Sequence, residues 1–235
     1  PTKIVLIEVT KPTKIVLIEV TKPTKIVLIE VTKPTKIVLM AASFGVAILY
    51  RGKRDMQNWV VVDEMYLNYL RTAENRIPRS DYGDDKYKPF FGVLFEVGDL
   101  AYVTQISHAQ PRHLKMRNAP DFVKIFVPDR DNPDKDRFVA VVNLNYMFPI
   151  HKSLVKNLEY KDIDQHRTFK SEHEKSQYID LLSKEMEAIN KINMEGKAKL
   201  LYYRKATFPD DFVSKRCIDF RKMELFAQKY MEESR

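Results

Sequence analysis

The chain has 235 residues, 44% hydrophobic and 31% charged, with one cysteine and six glycines, so an internal disulfide and a cysteine-built zinc knuckle are excluded. Its formal charge is +8, but of 40 basic and 32 acidic residues 10 and 4 fall in residues 1–55, which leaves 30 and 28 in residues 56–235, a balance of only +2. Bulk charge is therefore no ground for a nucleic-acid partner; only local clusters can supply one.

Residues 1–39 are one undecapeptide, PTKIVLIEVTK, written three times without change from Pro1 to Lys33 and then cut short as PTKIVL at Leu39. Repeats that stack as protein drift apart at exposed positions. Here even Thr, Lys and Glu are unchanged, which suggests a DNA unit read in frame and kept uniform as nucleic acid. The run IVLIEV between TKPTK turns also reads as a short strand in each copy, with Pro confined to the turns. Such strands without a second layer are aggregation-prone, and a synthetic tag is a further reading. The apolar run from Val38 to Tyr50 is too short to span a bilayer. It is followed by basic residues and has no small-residue cleavage site, against a signal peptide. Met56, after RGKRD, is the expected start of the folded protein, and residues 56–235 have the length of one domain. A cytoplasmic location is expected.

From Met56 the sequence QNWVVVDEMYLNYLR predicts a strand and then a helix, with Asp63 as N-cap and Met65, Tyr66, Tyr69 and Leu70 at helical spacing. Phe90 to Val97 and Ala101 to Ser107 read as strands joined by a Gly98-Asp99 hairpin turn. Phe122 to Val127 and Phe138 to Leu144 are further strands around the polar loop PDRDNPDKDR. Ser171 with Glu174 forms a capping box, opening a long helix with an apolar stripe of Tyr178, Leu181, Leu182, Met186 and Ile189. Helices follow around Lys197 to Lys205 and Asp219 to Met231. Strands first and helices after predict an α+β domain, a twisted antiparallel sheet covered by mostly C-terminal helices.

Glycine-rich phosphate loops, HExxH helices and GxSxG elbows do not occur, and the five histidines lack metal-ligand spacing. No metal or cofactor is expected. Cys217 reads as a small apolar residue of a C-terminal helix. Between Ser107 and Asn118 stand Ser107, His108, Arg112, His113, Lys115 and Arg117, and no carboxylate. A strand end opening into a loop is where a rigid scaffold presents side chains to a ligand. Cations attract phosphodiesters, and RNA brings its own nucleophile, the 2′-hydroxyl, once a base removes its proton. Cationic or hydrogen-bonding groups must then hold the charge that builds on phosphorus. On composition alone, the same segment also reads as an ordinary solvated basic loop.

The blocks VDEMYLNYLRTAENRIPR, KPFFGVLFEVGDLAYV, ISHAQPRHLKMRNAPDFVKI, VVNLNYMFPI and KRCIDFRKMELFAQKY, in that order, resemble those of the type III toxin–antitoxin endoribonucleases, the ToxN/AbiQ family. They span nearly all of residues 56–235. The resemblance implies a compact α+β toxin with a strongly twisted sheet like the Kid/MazF barrel. It implies metal-independent RNA cleavage to 2′,3′-cyclic phosphate ends. It also implies inhibition by a pseudoknotted RNA antitoxin cut from a repeat transcript, cellular or phage RNA as substrate, a closed toxin–RNA assembly and no membrane. Because such antitoxins are short direct DNA repeats just upstream of the toxin gene, residues 1–39 are expected to be those repeats read as protein.

Carried onto this sequence, the resemblance makes Ser107 the active-site hydroxyl residue, with His108 in place of a second one. Gln110 stands where a catalytic Lys is expected, a departure that leaves a noncatalytic RNA-binding or regulatory protein as the alternative. A structural or adhesive protein built on the β repeats is a third reading. Arg112 keeps the basic position two residues on, His113 matches a histidine seen in part of the family, and Lys88 precedes the first hairpin strand. Tyr82 and Tyr87 lie where an active-site Tyr falls, and Tyr66 matches a Tyr of the N-terminal helix, with core packing as its other reading. Lys115, Arg117 and Lys124 extend the basic strip. Lys197, Lys199, Arg204 and Lys205 around Tyr202 and Tyr203 form a second cluster suited to RNA or to a solvated helix face.

Overall fold

The structure, a computed structural model, describes residues 5–7, 36–42, 45–51, 56–83, 86–129, 132 and 134–233, the first three segments by backbone alone. The chain divides into two compact units, Pro1–Asp55 and Met56–Arg235. In the first, β1 (Val5–Ile7), β2 (Lys36–Ala42) and β3 (Gly45–Arg51) form an antiparallel sheet in that order. Strand β1 falls in the first repeat copy; the strands expected in the second and third copies lie outside the described residues.

The second unit begins with β4 (Asn58–Val61), after which Asp63 opens α1 (Glu64–Ala73). The Asp63 carboxylate accepts from the backbone N–H of Met65 at 2.7 Å and of Tyr66 at 3.3 Å, satisfying donors that the first helical turn leaves unpaired. The expected strand from Phe90 to Val97 is broken into β5 (Phe90–Gly92) and β6 (Glu96–Val97). At the break a Cβ on Gly92 would stand 2.9 Å from Val103 Cγ1 and 3.1 Å from the Tyr102 carbonyl. Only glycine lets the two backbones approach this closely. Gly98, at φ +57°, then turns the chain into the hairpin partner β7 (Leu100–His108).

Strand β7 is the axis of the sheet. Along one edge it pairs with β6 and then β5; along the other it pairs with β10 (Phe148–His151) and then β9 (Asp136–Asn143). Beyond β9 lies β8 (Phe122–Pro128), and beyond β5 lie β4 and the two-residue β11 (Lys156–Asn157). The eight strands are antiparallel throughout, and the path β11-β4-β5-β7-β9-β8 has two ends. The α+β class is as expected, but the sheet is open and the barrel closure implied by the resemblance does not form. Helix α3 (Glu172–Lys191) packs against β8, the strand that closure would have to pair with β11.

Three more helices follow, α4 (Met194–Thr207), α5 (Phe212–Arg216) and α6 (Phe220–Glu233). Helix α6 packs on β10 and α1. Its Glu224 accepts from the hydroxyls of Tyr102 (2.8 Å) and Tyr202 (2.7 Å), tying β7, α4 and α6 together. Phe95 stacks on Tyr102 with centroids 4.5 Å apart, and Phe220 lies edge-on to it. The Ser171 hydroxyl caps α3 by accepting from Glu174 N–H at 3.2 Å. Among the described residues no helix is long and apolar enough to cross a membrane.

Candidate active site

The register across β5, β7, β9 and β8 lines up one row of side chains. Phe90 pairs with Gln105, whose side-chain amide donates to the Lys88 carbonyl two residues before it. Ser107 pairs with Val141, and Val141 pairs with Lys124. Directly opposed residues of antiparallel strands share a face, so Ser107, Val141 and Lys124 cross the sheet on one side. Gln105, two residues before Ser107, is on that side too.

A short helix covers part of this face. Gln110 is the N-cap of α2 (Pro111–Lys115), with its carbonyl accepting from His113 N–H at 2.8 Å. The Lys124 ammonium donates to the Leu114 carbonyl at 2.9 Å and lies 5.6 Å from the centre of the Phe138 ring. The His113 ring meets Phe122 edge-on. Val141 and Phe122 are thus buried beneath α2, apart from the main core cluster. Arg112, Lys115 and Arg117 are exposed, and among the described residues Lys115 and Arg117 make no ion pair.

Gln105, only 6% exposed, organises the other side of the row. Its amide nitrogen donates to the carbonyls of Arg79 (2.7 Å) and Lys88 (2.9 Å), and its oxygen accepts from the Tyr82 hydroxyl at 3.1 Å. The Lys88 ammonium in turn lies 4.5 Å from the centre of the Tyr82 ring, a cation–π contact. Burial raises the Tyr82 hydroxyl above the ordinary tyrosine value, while Arg71 and Arg79 nearby act the other way. Sequence reasoning did not single out Gln105 or Arg79; a polar residue at an inward position of a central strand was the signal for Gln105.

The structure therefore brings Lys88, Tyr82, Ser107, Lys124 and the Arg112–His113 pair to one face. It does not bring all the expected residues there. Strand alternation turns His108 to the face opposite Ser107, where it ends β7 exposed and, among the described residues, without a hydrogen-bond partner. Tyr66 is 1% exposed, and its hydroxyl donates to the Pro149 carbonyl at 2.6 Å. That places Tyr66 in the core rather than on an RNA surface, because its helix buries the stripe that contains it. Tyr87 is buried as well, its ring stacked on His166 at 4.9 Å. Lys124 spends its charge on a helix carbonyl and holds α2 in place.

The second cluster is dispersed on α4. Lys199 pairs with Glu195 (2.6 Å) and Arg204 with Asp211 (2.8 Å), Tyr202 is buried, and Lys197 and Tyr203 face solvent. Among the described residues, no group of three or more His, Cys, Asp or Glu is arranged to hold a metal.

Three solved structures are similar to this chain. One is a bacterial type III toxin–antitoxin system with selective toxin inhibition by a non-coding RNA pseudoknot, at TM-score 0.59 and 22% identity, covering 76% of this chain and 99% of that one. Another is AbiQ, a lactococcal anti-phage endoribonuclease of the type III toxin–antitoxin system, at 0.58 and 19%, covering 76% and 99%. A third belongs to a bacterial antiviral system regulated by a processed non-coding RNA, at 0.57 and 16%, covering 73% and 98%. No curated protein matches. At these identities the likeness establishes the shared fold. Residues 58–228, most of the chain and all within the second unit, match the family model of toxin ToxN of the type III toxin–antitoxin system, and the chain belongs to that family.

Proposed function

We propose that the protein is the toxin of a type III toxin–antitoxin system, an endoribonuclease that cuts RNA without a metal and is held inactive by a pseudoknotted RNA antitoxin. The observation that carries this is one face of the sheet, where Ser107 stands in a row with Lys124 beside α2, whose Arg112 is exposed, and where the Lys88 ammonium lies over Tyr82, a partner of Gln105. The likeness to an anti-phage endoribonuclease and to a toxin inhibited by an RNA pseudoknot supports the same reading.

In this mechanism the 2′-oxygen attacks the adjacent phosphorus. The 2′-O–P bond forms as the P–O5′ bond breaks, leaving a 2′,3′-cyclic phosphate and a 5′-hydroxyl. Lys88 and Arg112 offset the charge that grows on the phosphoryl oxygens, and Ser107 donates to one of them. Solvent takes the departing 2′ proton and protonates the 5′-oxygen, because His108 lies on the face opposite Ser107. Tyr82, half-exposed beside Lys88, offers a ring on which a neighbouring base stacks.

Residues 1–39 fit the same reading as antitoxin-repeat DNA translated in frame, followed by a leader stretch to residue 55 and the toxin starting at Met56. Mapping the 5′ end of the transcript and sequencing the N-terminus of the expressed toxin tests this; a native N-terminus at or before residue 34 rejects it.

Incubating the chain with mixed RNA in EDTA tests the activity. Cleavage to cyclic-phosphate ends is the expected result. Intact RNA that stays bound would instead favour a noncatalytic RNA-binding regulator, the alternative that Gln110 at the expected lysine position keeps open.

A further inference from the structure

His113 is 6% exposed, and both of its ring nitrogens face donors. Its Nδ1 lies 3.1 Å from the backbone nitrogen of Gln110. The Gln110 N–H is fixed at the N-cap of α2, whereas the exposed Arg112 side chain can turn, so we assign the lone pair to Nδ1 and the proton of the neutral ring to Nε2. Yet Nε2 lies 3.3 Å from Nε of Arg112, which also only donates. Protonating the ring gives no relief. It would remove the acceptor from Gln110 N–H and add a positive charge where burial, Arg112 and Lys124 all oppose one and hold the His113 pKa below the ordinary histidine value. Two N–H groups therefore confront each other on α2, beside an exposed guanidinium. A single anionic acceptor placed between them, at ordinary distance from both, satisfies the pair.

We propose that Arg112 Nε–H and His113 Nε2–H form an oxyanion subsite for one nonbridging oxygen of an RNA phosphate, with His113 a fixed neutral donor and not an acid or base. That the anion belongs to RNA rests on the function proposed above; the two facing donors do not. Lys124, on the sheet row beneath α2, adds positive potential, and no carboxylate lies between Ser107 and Asn118 to compete for the donors. His113 is thereby a positioning residue for the helix through Nδ1 and a ligand-contacting one through Nε2.

The test is NMR of the full chain with ¹⁵N-labelled histidine and arginine at neutral pH, titrated with inorganic phosphate. The expected result is an Nε2–H tautomer for His113 and saturable movement of its Nε2 resonance. His113→Asn keeps an acceptor near Nδ1 for Gln110 N–H but deletes the Nε2 donor. It should weaken phosphate binding, read at Arg112 Nε–H, by about tenfold while the unfolding midpoint stays near wild type. His113→Gln keeps a donor near Nε2 and loses the cap, so it should retain more of the affinity at lower stability. An Nδ1–H tautomer, a His113 resonance indifferent to phosphate, or wild-type phosphate affinity in His113→Asn would overturn the subsite. Phosphate binding as expected in a protein that leaves RNA intact would sink the nuclease reading alone. RNA cleavage alongside an unmoved His113 resonance would sink the subsite alone.

Discussion

The Lys88 ammonium rests 4.5 Å from the centre of the Tyr82 ring, and the Tyr82 hydroxyl rests on Gln105. A flexible lysine is thereby held in position by an aromatic that is itself pinned to the central strand. An exposed cation–π contact contributes about 0.5–1 kcal/mol, enough to bias where the charge sits without immobilising it. Tyr82→Leu should therefore lower kcat/KM for RNA cleavage about two- to fivefold, and Tyr82→Phe, which keeps the ring, by less than about twofold. Equal losses in the two variants would show that the hydroxyl, not the ring, sets the position of Lys88.

Ser107 and Arg112 sit on the reacting face, and His108 on the opposite one. Ser107→Ala and Arg112→Ala should each relieve growth arrest when the toxin is expressed without its RNA. His108→Ala should leave kcat within about threefold of wild type. Growth arrest that persists in both of the first two variants would remove Ser107 and Arg112 from the site. A loss of about 10²-fold or more in His108→Ala would instead make the imidazole the general base.

Gly92 sits where β5 bends past β7. A methyl group there meets Val103 Cγ1 at 2.9 Å and the Tyr102 carbonyl at 3.1 Å, and that carbonyl accepts from Leu94 N–H at 2.8 Å. Gly92→Ala should cost about 1–3 kcal/mol, the usual cost of overpacking a core, measured as a lowered urea midpoint at unchanged m-value. A midpoint within error of wild type would mean that β5 can shift outward freely.

Glu185 is buried on α3, and desolvation pushes its carboxyl up to about 7. Its ordinary value is 4.5, so between pH 4.5 and 7 the folded chain holds a proton that the unfolded chain has released. Stability must then fall as pH rises through that window and level off above it, by at most about 3 kcal/mol in all. Glu185→Gln should flatten this part of the profile and raise stability at neutral pH. Urea midpoints from pH 5 to 8 read it directly; parallel profiles in the two proteins would remove Glu185 as the cause.

Much of the fold was legible in local signals. The Gly98-Asp99 turn, the Asp63 and Ser171 caps and the helical stripes are short-range devices, and each stands where the sequence put it. The break at Gly92 was not legible, because FFGVLFEV satisfies a strand pattern along its whole length and the bend answers to the Tyr102 carbonyl on another strand. The candidate site was legible in part. The basic loop after β7 and Lys88 before β5 were visible as charges next to strand ends. The burial of Tyr66 and Tyr87 was not, since an aromatic at helical or strand spacing looks alike whether it faces a core or a ligand. Gln110, conspicuous for the lysine it replaces, serves as the N-cap of α2, and its N–H donates to His113 Nδ1 at 3.1 Å.

The order of residues by itself decided that most strands precede the helices, that a Gly98-Asp99 turn makes a hairpin and that a carboxylate-free basic segment follows its second strand. Those are properties of neighbouring residues. Tertiary structure decided which side chains share a face: register set Lys124 in line with Ser107 and turned His108 away. A shift of one residue in that pairing would reverse every one of those positions, and pairing is fixed by packing between distant segments rather than by the segments alone.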